Sequence, residues 1–154
     1  MNALMEMFGD LNFTVLGFSC NQFGLQAPGK RVNHETLNLL KYVRPGGGFV
    51  PKFPVFGKIE VNGLNEEPLF AYLKESLPYV NPVIGDIKKF YWSPIKVNDI
   101  RWNFEKFLIN SDGAPFRRRR KPSLQLHRNS NLHVWNDIQC IQNIHNLTEH
   151  FVDV

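Results

Sequence analysis

The chain has 154 residues, 43% of them hydrophobic, which is enough for one domain with a real core. Its two cysteines exclude a disulfide framework and a four-thiolate zinc site, and no apolar run is long enough to span a bilayer. The formal net charge is +4, yet residues 117–121 alone hold five positive charges. The rest of the chain is therefore near neutral, and the charge does not indicate a broad basic surface.

The first part of the chain predicts helices and strands in alternation. Residues 1–9 have the apolar spacing of a helix, and residues 13–18 form a short apolar run typical of a buried parallel strand. A loop at residues 21–30 leads to a second helix at 34–43, which Asn33 suits as an N-cap. The positions predicted to face inward are Leu4, Met5 and Phe8 in the first helix and Leu37, Leu40 and Val43 in the second.

The next part predicts the remaining elements of a mixed sheet. Residues 55–61 predict a strand, residues 67–77 a helix, and residues 79–94 an extended loop. A strand at 102–109 and a partner strand at 114–118 flank a turn sequence and form a hairpin. In the helix, Leu69, Phe70, Leu73 and Leu77 are predicted to face inward. This order implies an α/β fold with a mixed central sheet flanked by helices.

The composition changes after residue 118, where Asn, His and Gln become frequent. We expect a division into a domain at 1–118 and a divergent, weakly ordered tail at 119–154. The alternative for the tail is a helix packed on the sheet. Its apolar stripe would be Ile138, Ile141, Ile144 and Leu147.

Two separate stretches carry the side chains that indicate chemistry. The strand at 13–18 runs into a polar loop that contains Gln22, and the carboxyl ends of strands are where sites form in open α/β sheets. Trp102 and Asn103 open the later strand at 102–109. All three side chains donate hydrogen bonds without charge. If they converge, they can stabilise a thiolate or selenolate and make it nucleophilic.

These stretches resemble the glutathione peroxidase family. The resemblance rests on Gly-Phe-Ser-Cys-Asn-Gln-Phe-Gly at 17–24 and Trp-Asn-Phe-Glu-Lys-Phe-Leu at 102–108, within a colinear match over 2–118. It implies a thioredoxin-like fold and the reduction of hydrogen peroxide or organic hydroperoxides, with glutathione as co-substrate and no cofactor. The family's active site is a tetrad of selenocysteine or cysteine, Gln, Trp and Asn. Its last three members match Gln22, Trp102 and Asn103.

The resemblance leaves the nucleophile unmatched. The family places it upstream of the helix at 1–9, after the first strand of the domain, and no residue of this sequence takes that position. We therefore expect an incomplete thioredoxin-like fold and little turnover. Cys20 matches an additional family cysteine beside the site. We expect a small, buried, inert residue there rather than a replacement nucleophile, since a reactive thiol needs exposure.

Basic residues supply the candidate contacts to glutathione. By resemblance, Arg117 and Arg118 match a pair linked to its carboxylates, and Arg44 matches a basic position near the thiol-binding surface. The alternative for 117–121 is a solvated basic run or a polyanion-binding segment. A nucleic-acid partner is disfavoured because no stacking aromatic residues interrupt the run. The histidines lack zinc-site spacing, so no metal site is predicted.

The resemblance also bears on assembly and compartment. Residues 45–48 and 79–94 resemble the family's tetrameric branch and imply a homotetramer in the full-length form. No membrane partner is expected, since no apolar run is long enough to span a bilayer. Residues 41–58 contain no resolving cysteine, which favours glutathione over thioredoxin. Residues 49–51 and 100–102 resemble a secreted subgroup, so an extracellular location is favoured, with a cytoplasmic one as the alternative. A non-catalytic product that acts by subunit association is the alternative function.

Overall fold

The computed structural model of the chain describes residues 1–26, 33–79, 83–119 and 138–144. Helices and strands alternate along most of this length, as predicted. The elements are α1 (Asn2–Phe8), β1 (Thr14–Cys20), α2 (Asn33–Asn38), β2 (Val55–Ile59), α3 (Pro68–Ser76), β3 (Lys106–Asn110), β4 (Pro115–Arg119) and β5 (Ile138–Ile144).

The strands form one mixed sheet in the order β2-β1-β5-β3-β4. The pairs β1–β2 and β3–β5 are parallel, whereas β1–β5 and β3–β4 are antiparallel. The predicted hairpin between β3 and β4 is confirmed, and Gly113 takes the left-handed backbone conformation that its turn requires (φ +84°). The chain thus has the predicted α/β fold with a mixed sheet, a partial thioredoxin-like arrangement.

Helix α3 covers one face of the sheet. Its Phe70 is fully buried and lies edge-on to Phe18 of β1 (5.5 Å between ring centroids) and to Phe107 of β3 (6.1 Å). Burial of one such side chain stabilises a fold by about 1.5–3 kcal/mol. The aromatic contacts therefore fix β1 and β3, the two strands next to the candidate site, on the same helix.

Helices α1 and α2 cover the opposite face. Phe13, Val15, Leu40 and Phe53 form a second buried cluster there. The residues predicted to face inward from the first helix pack against it, namely Leu4, Met5 and Phe8. Helices on both faces leave the ends of the strands as the open part of the domain.

Three positions predicted to be inward are instead exposed: Leu37, Val43 and Leu69. The chain after α2 continues as a π-helical turn at Leu39–Val43, whose i→i+5 hydrogen bonding rotates Val43 away from the face that buries Leu40. In α3, the buried face runs through Phe70, Leu73 and Lys74 rather than through Leu69. A buried lysine such as Lys74 requires hydrogen-bonding partners, which come from residues distant in the sequence.

The strand predicted at 102–109 begins later, at Lys106. Phe104 has a left-handed backbone conformation (φ +71°), which a strand residue cannot adopt. The prediction that Trp102 and Asn103 open a strand is therefore wrong. Both lie in the loop that leads into β3.

The tail was predicted to be weakly ordered, with a helix as the alternative. Within this range the structure describes a strand at Ile138–Ile144, in the centre of the sheet between β1 and β3, so the alternative helix does not form there. The boundary at 118 and the weak order of the tail stay predictions. The backbone of β5 pairs with hydrogen-bonding groups of both neighbouring strands, which would otherwise be sheet edges. The rest of the predicted tail, 120–137 and 145–154, lies outside the described residues. Among the residues described, no helix is long and apolar enough to cross a membrane.

Candidate active site

Gln22 lies just beyond the carboxyl end of β1 and is buried. Its Oε1 accepts hydrogen bonds from the backbone N–H groups of Val61 (3.0 Å) and Asn62 (3.1 Å), and its Nε2 donates to the carbonyl of Asn62 (2.9 Å). These contacts determine which end of the amide is oxygen. The second hydrogen on Nε2 remains available to a further acceptor.

Cys20 is 2% exposed, as expected for a small residue beside the site. Its Sγ lies 3.6 Å from Gln22 Oε1 and accepts from the Gln22 backbone N–H at 3.5 Å. A peroxide cannot reach a sulfur that is covered in this way, and reactive thiols are exposed. The geometry assigns Cys20 to the support of Gln22.

Trp102 lies against the loop that carries Gln22. Its side chain is 53% exposed, and its ring packs on Phe23, with 6.2 Å between ring centroids. A Cβ atom on Gly24 would lie 3.7 Å from Trp102 Cη2, so the loop backbone closely approaches the indole. The structure thus brings two sequence-distant parts of the predicted site together.

Asn103 is buried, at 5% exposure, and neither Nδ2 nor Oδ1 has a hydrogen-bond partner among the described residues. A buried amide without partners costs about 1–3 kcal/mol. A buried polar group of this kind requires an explanation, and a contact to another group is one that fits its place beside Trp102. Asn103 is the most informative residue of the candidate site.

Asn62 connects the two parts of the site. Its backbone binds the Gln22 amide, whereas its side chain donates from Nδ2 to the carbonyl of Ile100 (2.7 Å) and accepts on Oδ1 from the Ile100 N–H (3.0 Å). Ile100 is two residues before Trp102. Sequence analysis did not identify Asn62, because a side chain that pairs with a backbone 38 residues away gives no local signal.

A buried ionic cluster lies behind Asn62. Lys74 is 1% exposed, and four acceptors share the three hydrogens of its ammonium group: the Val61 carbonyl (2.8 Å), Asn62 Oδ1 (3.2 Å), Asp99 Oδ1 (3.2 Å) and Glu66. Its i, i+4 relation to Phe70 on the apolar face was the sequence signal for an inward lysine. The ammonium group holds the turn at 61–62 against the segment that precedes Trp102.

The outer part of the cluster is Glu66 with Lys96, whose charged groups are 2.6 Å apart. Burial opposes ionisation of Glu66, but the hydrogen bonds from Lys74 and Lys96 outweigh it and hold the pKa of the Glu66 carboxyl below its ordinary value. The hydrogen bond to Glu66 raises the pKa of Lys96. Both groups are therefore charged at neutral pH.

The three arginines proposed for glutathione have different surroundings. Arg44 and Arg117 are exposed, on the segment after the π-helical turn and on the edge strand β4 respectively. Arg118 points to the α3 face, where it pairs with Glu105 (2.5 Å) and donates to the Asn98 carbonyl (3.0 Å). Its side chain is only 4% exposed, so Arg118 binds groups of the protein itself in this structure, and its contact to glutathione stays a prediction.

The described residues contain no group of three or more His, Cys, Asp or Glu side chains that could hold a metal ion. The buried side-chain atoms without a hydrogen-bond partner in the described part of the chain are Gln26 Oε1, Arg101 Nε and both polar atoms of the Asn103 amide. The Nδ2 group of Asn103 suits a polar or anionic atom that accepts hydrogen bonds.

Comparison with known proteins gives a consistent picture. The family model described as glutathione peroxidase matches residues 1–74. Over 118 residues, 77% of the chain, the sequence is 55% identical to glutathione peroxidase 6 of Rattus norvegicus and 53% identical to the epididymal secretory glutathione peroxidase of Macaca fascicularis. It is 51% identical to glutathione peroxidase 3 of Hylobates lar over the same length. The chain covers 52%, 52% and 51% of these relatives, about half of their length. Over 77% of its length the chain is thus similar to glutathione peroxidases.

Proposed function

We propose that Gln22, Trp102 and Asn103 form the hydrogen-bonding part of a peroxidase site, which supports a thiolate or selenolate nucleophile. The single observation that carries the proposal is the buried, unpartnered amide of Asn103 beside the exposed indole of Trp102. A neutral donor stabilises a chalcogen anion, lowers its pKa and increases the nucleophilic fraction at neutral pH.

The reaction proposed for the site follows from that nucleophile. The chalcogen attacks one peroxide oxygen, the O–O bond breaks, and the other oxygen leaves as water or an alcohol after protonation. The oxidised chalcogen condenses with a first thiol and releases water, and a second thiol regenerates the chalcogenol and forms a disulfide. Glutathione is the proposed thiol and acts as co-substrate, without a further cofactor.

Arg44 and Arg117 are the proposed contacts for the carboxylates of glutathione. Both are exposed, and a guanidinium binds a carboxylate through two parallel hydrogen bonds. Adding glutathione to the chain while the fluorescence of Trp102 is measured tests these two contacts. We expect a saturable change that is lost in Trp102→Phe and weakened in Arg44→Gln and Arg117→Gln. Lys88→Gln, which removes an exposed cation of another segment, serves as control. Equal affinity in all the charge variants would contradict the assignment.

Turnover by this chain is proposed to be low, because the described thiol, Cys20, is buried. A coupled assay with glutathione and hydrogen peroxide measures it. Robust activity that disappears in Cys20→Ser would show that Cys20 becomes accessible and acts as the nucleophile. Robust activity that survives Cys20→Ser but disappears in Asn103→Ala would support the site and contradict low turnover.

Compartment and assembly are part of the proposal. One relative is named as an epididymal secretory protein, which supports an extracellular location for this chain. A homotetramer is proposed from the segments at 45–48 and 79–94. Light scattering of the purified chain tests the assembly. A single mass of four chains would support it, and a monomer or a heterogeneous aggregate would contradict it.

The register of β3 and β4 favours polyanion binding as a second candidate function. Lys106 lies opposite Arg119, and Leu108 lies opposite Arg117. Because Arg118 points to the α3 face, strand alternation puts Arg117 and Arg119 on the other face with Lys106. Like charges directly opposite each other destabilise a strand pair, and a bound sulfated polysaccharide would relieve this repulsion.

Heparin chromatography tests the second candidate. We expect the double variant Arg117→Gln/Arg119→Gln to elute at lower salt than the unmodified chain, and Lys88→Gln/Lys89→Gln to elute unchanged. Binding that does not weaken as salt rises, or an equal effect of both double variants, would contradict it.

A further inference from the structure

Asn62 lies three residues after the end of β2 and is completely buried. Its backbone N–H and carbonyl both bind the Gln22 side chain, at 3.1 and 2.9 Å. The amide of Gln22 therefore follows the position of the backbone at 61–62 rather than that of its own strand.

The Asn62 side chain makes an equivalent pair of contacts on the other side. Its amide donates to the carbonyl of Ile100 and accepts from the N–H of the same residue, at 2.7 and 3.0 Å. This is the pattern by which a neighbouring strand would bind Ile100, supplied here by a side chain. Ile100 is itself fully buried, and only Arg101 separates it from Trp102.

Lys74 fixes the orientation of the Asn62 amide. Its Nζ donates to Oδ1 at 3.2 Å and to the carbonyl of Val61 at 2.8 Å. With a cation on the oxygen side, the NH₂ group must face the Ile100 carbonyl. Asn62 thus has one permitted orientation, and both halves of the site depend on it.

We propose that Asn62 is a positioning residue that sets Gln22 relative to the segment carrying Trp102 and Asn103. The role of Asn62 in catalysis rests on the proposed function, whereas its hydrogen bonds to Gln22 and Ile100 do not depend on that function. Only an amide fits the position. A carboxylate would present oxygen to the Ile100 carbonyl, and an aliphatic side chain would leave buried polar groups of Ile100 and Lys74 unpaired.

Asn62→Asp tests the inference, since it keeps the size, the backbone contacts to Gln22 and the oxygen that faces Lys74. Asn98→Asp is the matched control: Asn98 donates one long hydrogen bond to the Lys74 carbonyl (3.3 Å) in the same region but does not contact Gln22 or Ile100 through its side chain. Both variants are prepared with 5-fluorotryptophan, and each of the three tryptophan ¹⁹F signals is assigned by a Trp→Phe variant.

We expect Asn62→Asp to shift the Trp102 signal and leave the Trp92 signal in place, because the Trp92 indole is held by Asp99 (2.9 Å). Amide hydrogens of Trp102 and Asn103 should exchange about tenfold faster, the change that follows from the loss of one buried hydrogen bond. Asn98→Asp should change neither quantity. Asn62→Ser is a milder variant with the same expected direction, for use if Asn62→Asp does not fold.

An unchanged Trp102 signal in a folded Asn62 variant would overturn the inference. So would equal changes at Trp92 and Trp102, which would indicate a general loss of stability. Neither readout requires turnover. A chain whose Trp102 responds as expected in Asn62→Asp, but whose Trp102 fluorescence does not change when glutathione is added, would contradict the proposed function and leave the positioning role intact.

Discussion

Arg118 and Glu105 form a buried ion pair across β3 and β4, with Nε 2.5 Å from Oε1. The same guanidinium donates to the carbonyl of Asn98 at 3.0 Å and lies over the Phe107 ring. Strand β4 thereby holds both ends of the loop that presents Trp102 and Asn103. The first prediction concerns the cost of releasing that loop.

Arg118→Gln should destabilise the protein by about 3–5 kcal/mol, because the buried Glu105 carboxylate would lose its ion pair with Arg118. Arg117→Gln, one residue away but exposed, should change the free energy of unfolding by less than about 0.5 kcal/mol. Urea unfolding of the two variants and the unmodified chain measures both effects. Equal midpoints for the two variants would show that the pair contributes little.

Lys74→Met should also destabilise by about 3–5 kcal/mol, since it removes the cation and leaves Asp99 as a buried uncompensated charge. The double variant Lys74→Met/Asp99→Asn removes that charge while keeping an oxygen for the Trp92 indole, so it should recover part of the loss. Thermal unfolding compares the single and double variants. A double variant no more stable than Lys74→Met would mean that the charge of Asp99 is not the cause.

The stability of the protein should depend on pH through Glu66. Its pKa is lower in the folded chain than in the unfolded one, so its contribution is complete above the ordinary pKa of about 4.3 and is lost as pH falls through the folded value. Lys96 behaves oppositely: its raised pKa gives a contribution that is present below about 10.4 and is lost as pH rises through the folded value.

Denaturant unfolding from pH 6 down to about pH 3 measures the acid limb. The free energy of unfolding of Glu66→Gln should fall less steeply with decreasing pH than that of the unmodified chain, because Gln does not titrate. Glu6→Gln is a control in which an exposed carboxylate, paired with the equally exposed Lys52, is removed. Parallel curves for Glu66→Gln and the unmodified chain would contradict the assignment.

Local sequence signals were sufficient for the elements that depend on neighbouring residues. The apolar spacing of α1 and the turn sequence between β3 and β4 both predicted the structure correctly. The prediction of which residues face inward was wrong where the backbone departs from ideal geometry. Val43 is an example, because a π-helical turn replaces the α-helix there. The predicted start of β3 was wrong for the same reason, since an apolar sequence does not indicate the left-handed conformation of Phe104.

The candidate site residues could be predicted in part from the sequence, whereas the residues that position them could not. Gln22, Trp102 and Asn103 could be recognised because their motifs are specific. The burial of Arg118 depends on which face of β4 it occupies. That face is determined by a register irregularity between Leu108 and Ile109, which the sequence does not reveal. Asn62 and Lys74 act through contacts to residues far along the chain, and such contacts follow from tertiary packing alone.

Gly63 follows Asn62 and has a left-handed backbone conformation, with φ +85°. A Cβ atom there would lie 3.0 Å from the Ser93 carbonyl oxygen and 3.1 Å from Trp92 Cβ, so the backbone would have to move. Gly85 has a similar conformation (φ +75°), but a Cβ at that position would meet no atom within 4 Å. Gly85→Ala should therefore cost only the left-handed conformation, about 1–2 kcal/mol.

Gly63→Ala should cost about 1–3 kcal/mol more than Gly85→Ala, because overlap with backbone is added to the conformational term. Urea midpoints of the two variants give the difference directly. The displacement should also reach the adjacent Asn62, so amide exchange at Trp102 should rise in Gly63→Ala and not in Gly85→Ala. Equal losses of stability in both variants would mean that the segment at 92–93 yields easily, and that the turn holding Asn62 is less rigid than its contacts indicate.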